Sequence, residues 1–363
     1  MDSLTQAVLG AALQGAVLGR LQGRRSLLYG AALGTLPDLD VVIRYADPVS
    51  QMTYHRGFSH SLFVLTGLAL LLAWLVAALG RRYWPEKGYR WPRLFVAFWL
   101  VLVTHPLLDA FTVYGTQLFW PLPSIPESWA AVFIIDPVYT VPLLVAVLYA
   151  AVRGLKGRAV ALLTTALLFS TAYLGFGLVG RMAAEQRFAG ALAQQGVTAS
   201  EVRAVPMAFN SLVWRVLAKT PDGDYYEGVS SAFDRQAPEM QRLSLNLDAA
   251  RPLAGNALHE RLRWFTGDWL RYDVIGDTLV VTDLRMGIPG NYTFRFNMAH
   301  RDGQGQWRVD TPSAYQGAGV GAMFNLQDLR LIWQRILDQQ PPLPLAAWTA
   351  RYLGQATPVE VRP

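Results

Sequence analysis

Cysteine is absent from all 363 residues. That removes disulfide staples and thiolate sites, and leaves His and carboxylates as the only strong metal ligands. Charge is scarce too. Only 16% of residues are charged, against about 25% in soluble domains, while 52% are apolar and the mean hydropathy is positive. A membrane protein is therefore the first reading. The opening Met1–Gly19 carries Asp2 and no basic stretch, which argues against a cleaved signal peptide. No nucleic-acid motif accompanies the net charge of +6. A Ser-His-Asp grouping, a phosphate-cradling Gly loop, repeats and low-complexity tracts are also missing.

What is present is a series of apolar runs: Leu4–Gly19, Ser26–Leu36, Phe58–Leu79, Leu94–Val113, Trp129–Val152 and Ala159–Gly180. They predict about six transmembrane helices. Basic residues mark alternate connections: Arg20, Arg24 and Arg25; then Arg81, Arg82, Lys87, Arg90 and Arg93; then Arg153, Lys156 and Arg158. The connections between these hold only Arg44 and Arg56, or no Lys or Arg at all. By the positive-inside rule the basic loops are cytoplasmic and both chain ends lie outside.

Polar residues inside this apolar frame carry the functional signal. His105 and Asp109 sit four apart in an otherwise almost uncharged run, so a helix presents both on one face. A carboxylate at mid-span costs roughly 2.5–3.5 kcal/mol, which makes such residues functional candidates by default. Asp38 and Asp40 end the second run, His55 and His60 open the third, and Asp136 opens the fifth. The topology brings all seven to the outer end of one bundle, together with Asp2 and Gln6 on the first helix. Left unpaired, several such carboxylates would cost on the order of 10 kcal/mol, and a zinc site returns roughly 10–16 kcal/mol. Only Arg44 and Arg56 offer counter-charge on that side.

Beyond residue 181 the pattern changes. Arg181–Ser200 reads as a polar amphipathic helix, and aromatic and β-branched runs then alternate with turns. Pro221-Asp222-Gly223 predicts a hairpin turn between Trp214–Leu217 and Tyr225–Gly228. Leu279–Thr282 and Tyr292–Phe296 read as strands joined through Gly287–Gly290, and Asp248–Arg263 as a helix. Leu326–Asp338 is amphipathic, with Leu329, Ile332, Trp333 and Ile336 on one face, and Leu345–Leu353 follows a Pro-rich break. The expected architecture is an all-α membrane bundle of about six helices (1–180), an α+β extracytoplasmic domain (181–320) and amphipathic C-terminal helices (321–363).

The ordered segments M-D-S-L-T-Q, G-T-L-P-D-L-D, Y-H-R-G-F-S-H-S, T-H-P-L-L-D-A-F-T-V-Y-G-T and F-I-I-D-P resemble the YdjM-like family of bacterial membrane-bound metal-dependent hydrolases. The resemblance covers about Met1–Gly180. It implies a distant relation to the zinc phospholipase C and nuclease superfamily, in which His and Asp hold a zinc cluster that cleaves phosphoesters. His105-x-x-x-Asp109 is similar to a ligand pair there. Gln6 departs from the pattern, standing where many relatives have His, so the first helix offers a hydrogen bond in place of a ligand.

The resulting expectations are specific. Asp38, His60, His105 and Asp109 lead as metal ligands, with Asp40 and His55 next. Asp136 is read as a ligand, a carboxylate orienting a ligand, or a helix N-cap; Asp136 or Asp40 is also a candidate general base. Arg56 pairs with a site carboxylate or clamps a substrate phosphate. Tyr114, Thr116, Gln117 and Gln6 are placed at the substrate entrance, Trp120 and Trp129 as interfacial anchors, and His259 and His300 in ordinary structural roles. The cofactor is one to three Zn²⁺, and the partner a lipid or lipid-linked phosphate at the outer face of a bacterial inner membrane. The expected chemistry is phosphoester hydrolysis by metal-activated water. A metal-binding regulator without turnover is the alternative. A metal transporter fits poorly, since the inner halves of the spans lack polar groups.

Overall fold

The computed structural model describes residues 1–317, 326–339 and 344–353. In chain order the helices are α1 (Ser3–Gln22), α2 (Arg25–Thr35), α3 (Pro48–Tyr54), α4 (Leu62–Tyr83), α5 (Trp91–Ala110), α6 (Pro137–Arg153) and α7 (Arg158–Gln194). Short 3-10 turns at Leu36–Val42 and Phe58–His60 precede α3 and α4. Strands β1 (Glu201–Pro206), β2 (Val213–Lys219), β3 (Asp224–Ser231) and β4 (Met240–Ser244) follow. After them come α8 (Ala257–Thr266), β5 (Leu270–Ile275), β6 (Thr278–Asp283), β7 (Gly287–Ile288), β8 (Asn291–Tyr292), β9 (Arg295–Arg301) and β10 (Trp307–Ala314). Helices α9 (Leu326–Leu337) and α10 (Leu345–Leu353) close the described chain.

The chain divides into two compact units. Met1–Arg44 and Tyr54–Phe176 form the first; Tyr45–Thr53 and Gly177–Pro363 form the second. In the first unit α1 and α2 pack backbone to backbone. A Cβ added at Gly10 would lie 2.2 Å from the Gly30 carbonyl oxygen, one at Gly30 would lie 2.2 Å from the Gly10 carbonyl oxygen, and one at Gly34 would lie 2.7 Å from the Gln6 carbonyl oxygen. Small residues at this spacing are what let two helices approach so closely. Alanines 69, 73 and 77 of α4 serve the same end against Leu94, Ala97 and Phe98 of α5.

Among the described residues three helices are long and apolar enough to cross a membrane: α4, α5 and α7. The other three runs expected to span form helices that are shorter or less apolar. Helix α6 has 17 residues, and α2 has only 11, about 16 Å against a hydrocarbon core of about 30 Å. Helix α1 is long enough at 20 residues, but its Gly, Gln, Ser and Thr leave it outside the apolar set. A correction concerns α7. The expected break near Gly180 does not occur, and one 37-residue helix runs from Arg158 to Gln194.

In the second unit β1-β2-β3-β4 form one antiparallel sheet, β10-β9-β6-β5 another, and β7-β8 a small hairpin. Strand β2 is buried on both faces. Its even-numbered Trp214, Val216 and Ala218 pack on Phe188 and Leu192 of α7. Its odd-numbered Leu217 packs with Tyr225, Leu243, Trp269 and Leu284. The expected hairpin is present, with Val213 to Lys219 paired against Ser231 to Tyr225. The expected helix over Asp248–Arg263 is instead a 3-10 turn (Leu247–Leu253) and α8, which starts after Asn256 caps the His259 amide. Helix α9 buries Ile332 and Ile336 as expected, together with Leu331, Asp328 and Arg335, while the expected Trp333 is exposed. Arg335 pairs there with Asp234 at 2.6 Å. Of the C-terminal segment 321–363, residues 321–325, 340–343 and 354–363 lie outside the described residues.

Candidate metal centre

Four side chains from three local structures meet in the first unit. Asp38 comes from the 3-10 turn after α2, His60 from the turn before α4, and His105 and Asp109 from one face of α5. Pro37 ends α2 and sits at the start of the turn. A 3-10 helix advances about 120° per residue, so Asp38 and Asp40 leave it in different directions. Only Asp38 reaches the cluster, whose four donor atoms all lie within 4.8 Å of one another.

The separations are informative. His60 Nε2 is 3.2 Å from His105 Nε2, 3.2 Å from Asp109 Oδ2 and 3.5 Å from Asp38 Oδ1. His105 Nε2 is 3.3 Å from Asp38 Oδ1 and 3.6 Å from Asp109 Oδ2. Four ligands at about 2.0–2.2 Å from a tetrahedral ion stand about 3.3–3.6 Å apart. The five separations fall on or beside that edge length.

The surrounding hydrogen bonds decide which ring nitrogens are bare. His105 Nδ1 donates to the Gly34 carbonyl at 2.5 Å, which leaves Nε2 a lone pair facing the cluster. Ser59 Oγ gives its proton to Asp40 Oδ2 at 2.8 Å and therefore accepts from His60 Nδ1 at 2.9 Å. His60 Nε2 is then also a lone pair. Asp109 Oδ2 is buried with no hydrogen-bond partner, although Arg56 Nε lies 3.2 Å away without the alignment of a hydrogen bond. All four converging atoms are acceptors, and His60, His105 and Asp109 are at most 1% exposed. Such a group calls for a cation among them, and these donors fit a divalent metal.

Asp40 and His55 stand outside the four. His55 Nδ1 donates to Asp40 Oδ1 at 2.9 Å, and Asp40 Oδ2 also accepts from the Arg56 amide at 3.0 Å. Burial pulls the Asp40 carboxyl up, but the hydrogen bond and charge of His55, with His60 and Ser59, bring it below its ordinary value. Asp40 is thus held as a carboxylate that orients two imidazoles, His55 directly and His60 through Ser59. The His55 ring lies edge-on to His60, with centroids 5.9 Å apart.

Arg56 takes a left-handed backbone, φ 59°, a conformation non-glycine residues seldom adopt. The turn aims its amide at Asp40 and its guanidinium at Asp109, with a hydrogen bond to Thr112 Oγ1 at 3.3 Å. The Tyr114 ring supports the guanidinium at 4.9 Å and meets the His55 ring edge-on at 5.6 Å. Gln6 Nε2 donates to Asp109 Oδ1 at 3.0 Å and to the His105 carbonyl at 3.2 Å. It holds ligands in place, as expected for an amide in place of His. The Met1 amino group also lies on Asp109 Oδ1.

The other expected residues are engaged elsewhere. Asp136 does not join the cluster. Its Oδ1 accepts from the Val138 amide at 3.0 Å as N-cap of α6, and its Oδ2 accepts from Tyr173 at 3.0 Å. Thr116 is buried and exchanges backbone hydrogen bonds with Glu127, while the Gln117 amide donates to the Arg56 carbonyl at 3.0 Å. Gln117 thereby braces the Arg56 turn. Trp120 meets Phe58 edge-on, and Trp129 donates to Glu127 at 3.0 Å. Asp2 caps α1. His259 bonds Tyr272, and His300 pairs with Asp310 across β9 and β10. Sequence reasoning missed two contributors. Ser59 was visible in F-S-H-S as the neighbour of His60; the Gly34 carbonyl, a backbone group, leaves no mark in the sequence.

The family model of the YdjM inner membrane protein matches residues 1–184, half of the chain. The chain belongs to the YdjM family. The four converging ligands, with Asp40, His55 and Arg56, lie within the YdjM-matched residues. The family's description as an inner membrane protein agrees with the three apolar helices. The chain is also 29% identical over 147 residues to the uncharacterized protein YfhP of Bacillus subtilis (strain 168). That match covers 38% of this chain and 41% of YfhP, so the chain spans about two fifths of that relative's length. No solved structure matches the chain.

Proposed function

We propose that this YdjM-family protein is a membrane-bound metal-dependent hydrolase that cleaves a phosphoester of a lipid or lipid-linked substrate. The carrying observation is the set of four ligand atoms within 4.8 Å of one another, five of their separations at 3.2–3.6 Å, with both imidazoles bonded behind through Nδ1 and turned Nε2-first into the cluster. A divalent ion such as Zn²⁺, held by Asp38, His60, His105 and Asp109, would supply Lewis acidity and lower the pKa of water toward neutrality. The chain's own residues supply the rest. Asp40 fixes the His55 imidazole through Nδ1, leaving Nε2 to accept a proton from an attacking water or return one to a leaving oxygen. Arg56, already turned toward the cluster, offers N–H groups to a phosphoryl oxygen.

Access and substrate class follow from exposure. Asp38 and His55 side chains are 17% and 19% exposed, the most open of the group. Leu39, Val41, Val42 and Phe58, which alternate with the site residues, are exposed apolar side chains. An apolar rim around a polar centre suits a substrate that lies in the membrane interface. In this reading six helices make up the bundle, α1 and α2 acting as a packed pair. The basic ends of α1, α4 and α6 face the cytoplasm, and the metal end and the β-sheet unit face outward.

A second reading, a metal-binding regulator or structural protein, has one observation in its favour. Four protein donors complete a tetrahedron, as in structural zinc sites, whereas catalytic sites keep a position open. The hydrolase reading therefore requires Asp38, the one partly exposed ligand, to yield its place or the coordination to expand. Full-length protein purified in detergent, analysed for bound metal and assayed on phospholipids and a model phosphodiester, separates the two. The hydrolase reading expects about one or more zinc per chain and turnover that a chelator abolishes. Metal bound without turnover on any phosphoester selects the regulator, and absence of bound metal overturns both.

A further inference from the structure

At the basic end of the first unit a second site is built from different residues. A cavity of about 840 Å³ opens between α1, α2, α4 and α5, within the range of small-molecule sites. Its floor is apolar, with Leu33 of α2, Leu72 and Val76 of α4 and Phe98 of α5. Its rim carries Arg24, Arg25 and Lys87, and no carboxylate belongs to the lining. Lys87 extends over the Trp84 ring at 5.7 Å, and Arg24 donates to the Val152 carbonyl at 2.6 Å; both heads are thereby positioned. The wall includes Gln14, which is 0% exposed, so the inner half of α1 does hold a polar group, against the expectation that these halves lack them. Its Nε2 donates to Gln22 at 3.0 Å, while its Oε1 is buried without a partner. A buried, half-satisfied amide in a cavity wall marks a place where a ligand with a hydroxyl donor would recover a hydrogen bond.

We propose that this cavity binds an anionic diacyl phospholipid. The phosphate sits among Arg24, Arg25 and Lys87, an acyl chain runs along Leu33, Leu72, Val76 and Phe98, and a head-group hydroxyl meets Gln14 Oε1. Charge complementarity selects the head group, since three cations line the rim with no anion among them. The open apolar floor selects a chain-bearing lipid over free phosphate. The site is separate from the metal centre: along α4 alone, Leu62 and Gly80 are about 27 Å apart at 1.5 Å per residue. Nothing in the proposal depends on hydrolysis.

The test is native mass spectrometry of the full-length protein in detergent, titrated with phosphatidylglycerol or phosphatidylcholine of identical chains. One phosphatidylglycerol per chain is expected to survive activation that strips phosphatidylcholine. Arg25→Gln with Lys87→Gln is expected to lower that preference about fivefold per charge removed. Ala32→Trp, which fills the cavity from α2, is expected to abolish retention of both lipids at unchanged metal content. Equal retention of the two lipids, or a preference untouched by the double charge variant, overturns the proposal. So does displacement by millimolar inorganic phosphate, which would mark a free-anion site.

Discussion

At the scale of single residues, the centre is organised as much by hydrogen bonds behind the ligands as by the ligands. Ser59 is the clearest case, because its one proton, given to Asp40, obliges it to accept from His60. Ser59→Ala is expected to weaken metal affinity about 10–100-fold with folding preserved, read by competition with a chromogenic chelator. His105→Ala is expected to remove the metal outright, and unchanged metal content would take His105 out of the ligand set. His55→Ala separates the roles: metal content should stay while turnover falls about 10²–10⁴-fold, the range of a lost general base. The sequence made part of this legible. His105 and Asp109 stand on one helical face by spacing alone, and Asp38, directly after Pro37, was favoured over Asp40. The left-handed turn at Arg56 was not legible, since an arginine carries no signal for positive φ.

At the scale of elements, the close pairing of α1 and α2 supports the centre. Gly34 lends its carbonyl to His105 from the end of α2, and the glycines of both helices hold that carbonyl in reach. Gly30→Ala places a methyl 2.2 Å from the Gly10 carbonyl oxygen, so the helices must part. About 1–3 kcal/mol of stability should be lost, as for overpacked cores, together with metal affinity. Thermal melting with and without added zinc checks both; retained affinity would show that the carbonyl position is not set by this contact. Element reading from sequence succeeded where turns punctuate the chain, as at Pro221-Asp222-Gly223. It failed along α7, where a change from apolar to polar composition looked like an end although the backbone continues through it. On α9 it found the buried Ile332 and Ile336 but misplaced the exposed Trp333 and did not foresee the buried Arg335–Asp234 pair.

At the scale of the molecule, pH is expected to act on the second unit through His259. Burial lowers the pKa of this imidazole from its ordinary 6.5, so the fold holds it neutral against Tyr272 at 2.9 Å. A lowered histidine pKa contributes stability that is complete above about pH 6.5 and is lost as pH falls below it, by up to about 1.4 kcal/mol per pH unit. Protection factors for amide hydrogen exchange in β5 of the full-length protein, corrected for the intrinsic pH dependence of exchange, should therefore fall between pH 7 and pH 5, and His259→Gln should flatten the response. An equal pH response in that variant would assign the effect to other groups.

The excursion of Tyr45–Thr53 into the second unit bears on how the chain is made. Thr53 receives the Arg261 guanidinium at 2.6 Å across 208 residues of sequence. At ribosomal rates of about 5–20 residues per second, α3 emerges roughly 10–40 s before its partner exists. Val49 and Met52 of the same helix are buried in the finished molecule. No single scissor cut yields the two halves intact, since a chain stopped at Phe176 keeps α3 without Arg261, and one begun at Gly177 keeps Arg261 without α3.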